Sequence, residues 1–312
     1  MKVTNFTFID LFAGIGGFHL GLHQAGAQCV FACEIDKYAR LTYEQNYKTI
    51  SPKLFTQKAF AEDIQDVNPS DIPDFDILCA GFPCQPFSQA GQKKGFEDIG
   101  RGNMFFEIMR IVKEKKPKVL FLENVRNLVN HDNGKTFEVI QKQIQKHGYS
   151  FHWKLIKASD HGLPQHRPRV YMVCFRNDLN IQSFTFPSAR PLELTMSDIF
   201  QGQCNKKIGF TLRVGGKSSG LHDRRNWDTY LVDNQIVKLQ KYHGLQMLGF
   251  PKNFNFPVSN TQAMKQLGNS VAVNVVYDIG TEILKTLSST KNSLTSKTIV
   301  KKTRTTQLDL DL

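Results

Sequence analysis

Thr7-Phe8-Ile9-Asp10-Leu11-Phe12-Ala13-Gly14-Ile15-Gly16-Gly17 is an apolar run that ends in a glycine-rich turn. The run reads as a buried strand, and the glycines permit the tight reversal that carries a strand into a helix. Behind the turn, Phe18, Leu22 and Ala25 recur at helical spacing and Gly26 supplies a stop. Gln28-Cys29-Val30-Phe31-Ala32-Cys33-Glu34 reads as a second strand ending on an acid, and residues 37–47 as a second helix. Strand, loop, helix, strand, helix is the opening of a doubly wound α/β fold with a mostly parallel sheet.

The alternation continues outward from that unit. Strands are expected at 75–79, 118–123, 151–157 and 169–175, and helices at 104–113 and 136–147. The two strands flanking Gly162-Leu163-Pro164 are expected to form a hairpin, because so short a connection cannot hold a crossover helix. After Pro187 the helical periodicity fades, and Gly-rich and basic segments replace it. The organisation expected is therefore a catalytic and cofactor-binding domain over 1–186 and a small loop-rich module over 187–258. A helix over 261–286 would return to the first domain, followed by a disordered Ser/Thr/Lys-rich tail over 288–312.

The chain has 312 residues, enough for one large domain and a smaller one. Its 40% hydrophobic and 22% charged content is that of a globular protein. No run approaches the roughly 18 apolar residues of a membrane span, and no signal-like apolar stretch follows Met1, so a cytoplasmic location is expected. The six cysteines include no CxxC pair and no companion His-x-x-x-His, which argues for free thiols and against a metal site. A formal net charge of +12 points to a polyanionic partner, with nucleic acid the first candidate and generic surface lysine the alternative.

Ligands of open α/β sheets bind beyond the carboxyl ends of the strands. The groups that fall there are the glycine loop 14–17, Glu34, Asp63, Cys84 and Glu123. Pro83 and Pro86 bracket Cys84 and stiffen its loop, where a nucleophile would stand; a structural half-buried thiol is the alternative, and the convergence of these groups argues against it. Glu34, twenty residues past Gly14, has the spacing of an acid that accepts ribose hydroxyls. The loop lacks the third glycine of the dinucleotide fingerprint and is preceded by Asp10, which would repel a pyrophosphate. S-adenosylmethionine, cationic and free of phosphate, fits this loop better than a nicotinamide dinucleotide. A thiolate and a carboxyl in one pocket suit conjugate addition to a heteroaromatic ring, the acid engaging a ring nitrogen. Arg167 and Arg169 add positive charge that would lower the thiol pKa, or else stand on a solvated surface.

Several of these stretches occur together as an ordered set. Asp10-Leu11-Phe12-Ala13-Gly14-Ile15-Gly16-Gly17, Gly81-Phe82-Pro83-Cys84-Gln85-Pro86-Phe87-Ser88 and Glu123-Asn124-Val125 come first. Gln165-His166-Arg167-Pro168-Arg169 and Gly268-Asn269-Ser270-Val271 follow. In this order they resemble the motif set of DNA cytosine-5 methyltransferases, in particular the compact bacterial enzymes of restriction–modification systems. The resemblance covers residues 6–178 and 236–286 and implies an S-adenosylmethionine-dependent Rossmann-like methyltransferase fold with a target-recognition domain.

The resemblance also implies roles. Asp10, Phe12, Gly14, Gly16 and Gly17 would cradle S-adenosylmethionine, with Glu34 and Ile35 at its ribose and Asp63 and Ile64 at its adenine. Gly81, Pro83, Asn269 and Ser270 would complete that site. Cys84 would add to C6 of a flipped-out cytosine, Glu123 would engage N3, and Arg167 and Arg169 would steady the base. Gln85, Ser88 and Lys93 would meet DNA, the last on the loop 89–95, which resembles the family's mobile loop. The segment 187–235 matches nothing general in the family; it would read double-stranded DNA, with Arg213, Lys217, Arg224, Arg225 and Trp227 as base or phosphate contacts. Lys238, Gln240 and His243-Gly244 depart from the family's usual residues before Gly249-Phe250-Pro251. A monomer is expected, and a cognate restriction endonuclease is a companion the system would have. RNA methylation and an inactive DNA-binding relative remain the alternatives.

Overall fold

The computed structural model describes residues 6–83, 104–214 and 220–308, the last stretch by its backbone alone from 291 onward. Cys84, Gln85, Ser88, Lys93, the loop 89–95 and Lys217 lie outside the described residues.

Strand β1 (Thr7–Leu11) is paired on both sides, parallel to β2 (Gln28–Cys33) and parallel to β4 (Ile77–Gly81). A strand in that position is buried on both faces, and its near-continuous apolar sequence follows from this. The full order is β3-β2-β1-β4-β5-β7-β6, with β3 at Phe60–Ala61, β5 at Val119–Val125, β6 at His152–Lys157 and β7 at Pro168–Phe175. The chain winds outward from β1 in one direction and from β4 in the other, so the crevice between their carboxyl ends is the switch point where such sheets bind ligands. The hairpin expected about Gly162 is present, and β7 runs antiparallel between β5 and β6.

Side chains alternate across this sheet into two apolar layers. On one face Phe8, Cys79 and Phe121 pack with α1 (Gly17–Gln24), α2 (Lys37–Tyr47) and the first part of α9 (Val273–Leu308). On the other, Ile9, Leu78 and Leu120 pack with α4 (Met104–Lys115) and α5 (Lys135–Lys146). A short helix, α3 (Pro52–Thr56), leads into β3.

The segment after β7 carries more regular structure than its sequence texture indicates. It holds α6 (Met196–Phe200), the hairpin of β8 (Thr229–Val232) and β9 (Gln235–Lys238), and α7 (Lys241–Leu248). Asp233 and Asn234 turn the hairpin with φ of 48° and 61°, the left-handed pair that a two-residue hairpin loop needs. Trp227 is not a surface contact: it is 1% exposed and belongs to the same apolar cluster as Phe8, α1 and α9. Met196, Tyr230 and Met247 are in that cluster too, so one core runs from the sheet into this segment.

The helix expected over 261–286 is two helices, α8 (Asn260–Asn269) and α9. Leu267, Val271 and Val275 keep helical spacing across the junction, so periodicity does not reveal the break. Ser270 makes it, with an extended backbone at φ −69° and ψ 155°. The tail expected to be disordered from Ser288 instead continues α9 to Leu308. The hydroxyls of Thr286, Ser288, Ser289 and Thr290 donate to carbonyls four residues back, which accommodates these residues in the helix.

Candidate active site

A cavity of about 400 Å³ opens beyond the carboxyl ends of β1, β4 and β5. Phe12, Gly14, Glu34, Gly81, Pro83, Glu123, Arg169 and Asn269 all line it. A second cavity of about 310 Å³ shares Phe12, Glu34, Ile35 and Pro83 with the first and extends to Asp63, Ile64 and Met104. Pro83 precedes Cys84 in sequence and borders both spaces.

The glycine loop divides its labour. Gly14, at φ 56°, has open space where a Cβ would stand, and its N–H donates to Glu34 Oε2 at 2.7 Å. Glu34 Oε1 accepts from the Asp36 N–H at 2.8 Å. Burial pushes the Glu34 carboxyl up, and these two backbone donors pull it back. Phe12 stands at φ 55°, a left-handed backbone that a non-glycine residue adopts at some strain. Gly16 and Gly17 do not reach the cavity. Gly16 leaves room for the Tyr47 ring, whose hydroxyl donates to the Gly16 carbonyl at 2.6 Å, and Gly17 leaves room for Val271.

Asp10 also fails to reach either cavity. It alternates to the same face as Phe8 and is 1% exposed beneath α1, where neither carboxyl oxygen finds hydrogen-bond geometry. Burial drives its pKa well above the usual range; the His19 backbone N–H opposes this and the charge of Glu34 adds to it. An acid so placed does not present its charge to a ligand.

Glu123 closes the far side of the first cavity. The antiparallel register sets Val125 opposite Arg169 and Glu123 opposite Tyr171, which brings Arg169 Nε to 3.0 Å from Glu123 Oε1. Burial raises the Glu123 pKa, and the charges of Arg169 and Arg167 resist the rise. Asn124 donates its amide to the Phe82 carbonyl at 2.9 Å and so anchors the residue before Pro83.

Arg167 also lines the first cavity, held from behind. It is 2% exposed and spends its guanidinium on main-chain carbonyls: Leu212 at 3.3 Å, Gly268 at 3.0 Å, and Ser270. It therefore fixes the wall of the cavity instead of presenting a free cation. Ser270 does not line the cavity. Its carbonyl is held by Arg167 and its hydroxyl donates to the Val271 carbonyl, while only Asn269 of the pair lines the cavity.

Composition and spacing gave no reason to single out Lys265 or Gln165. Lys265 projects from α8 into the cavity rim and pairs with Asp36 at 3.0 Å, tying α8 to the start of α2. Gln165 is fully buried, donates to the Met247 carbonyl at 3.0 Å and accepts from the Leu212 N–H at 3.2 Å. Both contacts join residues far apart in sequence.

The sequence profile of the C-5 cytosine-specific DNA methylases matches residues 6–218 and 210–285. The chain belongs to this family. It is 41% identical to the Type II methyltransferase M.HhaI of Haemophilus parahaemolyticus, over 90% of this chain and 96% of that protein. It is 40% identical to M.NlaX of Neisseria lactamica, over 91% of this chain and 98% of the relative. Among solved structures, Spodoptera frugiperda DNMT2 shares the fold at a TM-score of 0.66 and 19% identity, covering 91% of this chain and 99% of that one.

Membership makes the protein a methyltransferase of class 2.1.1. Of the residues of this family member expected to meet DNA, the described Arg213, Arg224 and Arg225 do not line the cavity. Arg213 and Arg224 are exposed, and Arg225 is exposed but pairs with Asp223 at 3.0 Å. Among the described residues, no helix is long and apolar enough to cross a membrane.

Proposed function

We propose that the protein methylates C5 of a flipped-out cytosine within a short duplex DNA sequence, as the modifying partner of a restriction endonuclease. One observation carries the reading. The Gly14–Glu34 cradle and the Glu123–Arg169 pair converge on one cavity, and Pro83, which precedes Cys84 in sequence, lines it.

The first cavity fits S-adenosylmethionine. Glu34 offers acceptor lone pairs to ribose hydroxyls, and the space over Gly14 admits the ligand's close approach. The third glycine of the dinucleotide fingerprint is missing, which disfavours a pyrophosphate. Asp63 and Ile64 with Ile35 would flank the adenine. When bound, S-adenosylmethionine supplies an electrophilic methyl group on a sulfonium.

Cys84 attacks C6 of the cytosine as a thiolate, which makes C5 nucleophilic. Glu123, kept from easy ionisation by burial, protonates or hydrogen-bonds N3 as density moves onto the ring. Arg169 orients that carboxyl and stands within reach of the base; Arg167 positions the wall behind it. After methyl transfer a water molecule takes the C5 proton, the C5–C6 double bond re-forms as the Cys84 thiolate is expelled, and N3 returns its proton to Glu123. The target must leave the stack because C5 and C6 are covered in a duplex. Arg213, Lys217, Arg224 and Arg225, together with Gln85, Ser88 and Lys93, are the proposed DNA contacts of a cytoplasmic, monomeric enzyme.

Incubation with labelled S-adenosylmethionine and separate duplex DNA and RNA tests the reading. Label is expected in the C5-methylcytosine of DNA, and its absence there would sink the proposal. Cys84→Ser is expected to abolish transfer while still binding S-adenosylhomocysteine; normal turnover by that variant would rule out the covalent route.

A further inference from the structure

The second cavity is bounded by two loops that the backbone holds together only weakly. One follows β2 and carries Glu34 and Ile35; the other follows β3 and carries Glu62, Asp63 and Ile64. β3 is two residues long and pairs with β2 only through Ala32↔Phe60 and Cys33↔Ala61. A two-pair edge ladder is a poor fixture for a ligand-binding wall. Beyond it the loop mostly bonds to itself, through Asp66 N–H to the Asp63 carbonyl and Gln65 N–H to Asp63 Oδ1.

Two arginines hold these loops. Arg40, on the first turns of α2, donates Nη1 to the carbonyls of Glu34 at 3.0 Å and Ile35 at 2.8 Å. Its Nη2 stands 3.0 Å from Glu62 Oε2 across the gap between the loops. Arg110, on α4, donates Nη1 to the Val67 carbonyl and Nη2 to the Ile64 carbonyl, each at 2.7 Å. Glu107 fixes Arg110 from one turn back, with its Oε2 2.8 Å from Nε. The same α4 begins at Met104, which also lines the cavity. A planar fork of donors reaches several carbonyls at once, which one lysine ammonium cannot do in the same geometry.

We propose that Arg40 and Arg110 form a clasp that sets the width of the second cavity and thereby positions the adenosine end of the methyl donor. The clasp rests on the reading of this cavity given above. Neither arginine lines that cavity, so both are positioning residues that act through the Glu34–Ile35 and Asp63–Ile64 backbone. The carbonyl bonds carry the effect. The Arg40–Glu62 ion pair adds little, because the Glu62 side chain is 74% exposed.

Calorimetric titration with S-adenosylhomocysteine and with adenosine tests the clasp on the full chain. Arg40→Lys and Arg110→Lys are each expected to weaken both ligands by about tenfold, the scale of losing one well-made charged hydrogen bond. The rise should appear in KM for S-adenosylmethionine while kcat at saturation stays near wild type. The double variant should lose less than the product of the single losses, since each frees one wall of the same cavity. Glu62→Gln should bind within about twofold of wild type. Wild type that binds neither ligand overturns the reading of the cavity, whereas wild type that binds with both lysine variants unchanged overturns the clasp alone. A loss of kcat and of DNA affinity matching the loss of ligand affinity, or an unfolded circular dichroism spectrum for both variants, assigns the arginines to general stability and also overturns it.

Discussion

Glu123 is a carboxyl under opposed influences, since burial raises its pKa and two arginines lower it. Removing one influence has a definite sign. Arg169→Gln takes away a cation, so the Glu123 pKa rises further, and the alkaline limb of kcat/KM, where Glu123 loses its proton, should move to higher pH. Glu123→Gln should lower kcat by about 10²–10⁴-fold, the usual worth of a positioned general acid. Asp10 supports a stability prediction. Its folded pKa lies above the unfolded value, so ionisation opposes folding, and the penalty grows as pH rises from about 4 through the folded pKa. Asp10→Asn should therefore stabilise the protein by about 1 kcal/mol at pH 8, with the gain fading towards pH 4 in chemical denaturation. Glu34 and Glu123 were legible in the sequence because an acid at the end of a parallel strand has few other places to point. Asp10 was not, because strand alternation turned it under α1. Arg167 was not either, because its acceptors on Leu212, Gly268 and Ser270 lie 45, 101 and 103 residues away.

Among the elements, the β1–α1 turn is tightly constrained. An ideal Cβ on Gly16 would lie 2.4 Å from the Tyr47 ring, and φ there is 81°. The ring cannot swing aside without losing its bond to the Gly16 carbonyl. Gly16→Ala should cost about 3 kcal/mol by thermal or urea unfolding, combining left-handed strain with overpacking. Tyr47→Phe should cost only about 1 kcal/mol, the hydrogen bond alone. The strand-helix alternation was readable because parallel strands between crossover helices leave long apolar runs at two distinct periods. The short elements of 187–258 were not, although Asp233-Asn234 between apolar runs is a hairpin signal in its own right. The division of α8 from α9 left no trace in periodicity, since a single extended residue makes it.

At the scale of the whole molecule, the apolar cluster beneath α1 and α9 includes Met196, Trp227, Tyr230 and Met247 from the segment after β7. That segment shares its core with the sheet, so calorimetry should show one unfolding transition, and an excised 187–258 fragment should be unfolded by circular dichroism. Composition and motifs suggested a module boundary near Pro187, but a shared core is a property of packing and is invisible to both. The contacts between α1 and α9 carry a practical consequence. Gly17 meets Val271, Gly21 meets Val276, and Gly280 meets Leu22 and Ala25, so the two helices run side by side in the same direction. Because α1 begins just behind the cavity-lining Gly14 and leads away from it, α9 runs away from the cavity too. A reporter domain or affinity label joined behind α9 would thus hang from the rear of the enzyme, leaving the mouth of the cleft open to a bulky substrate.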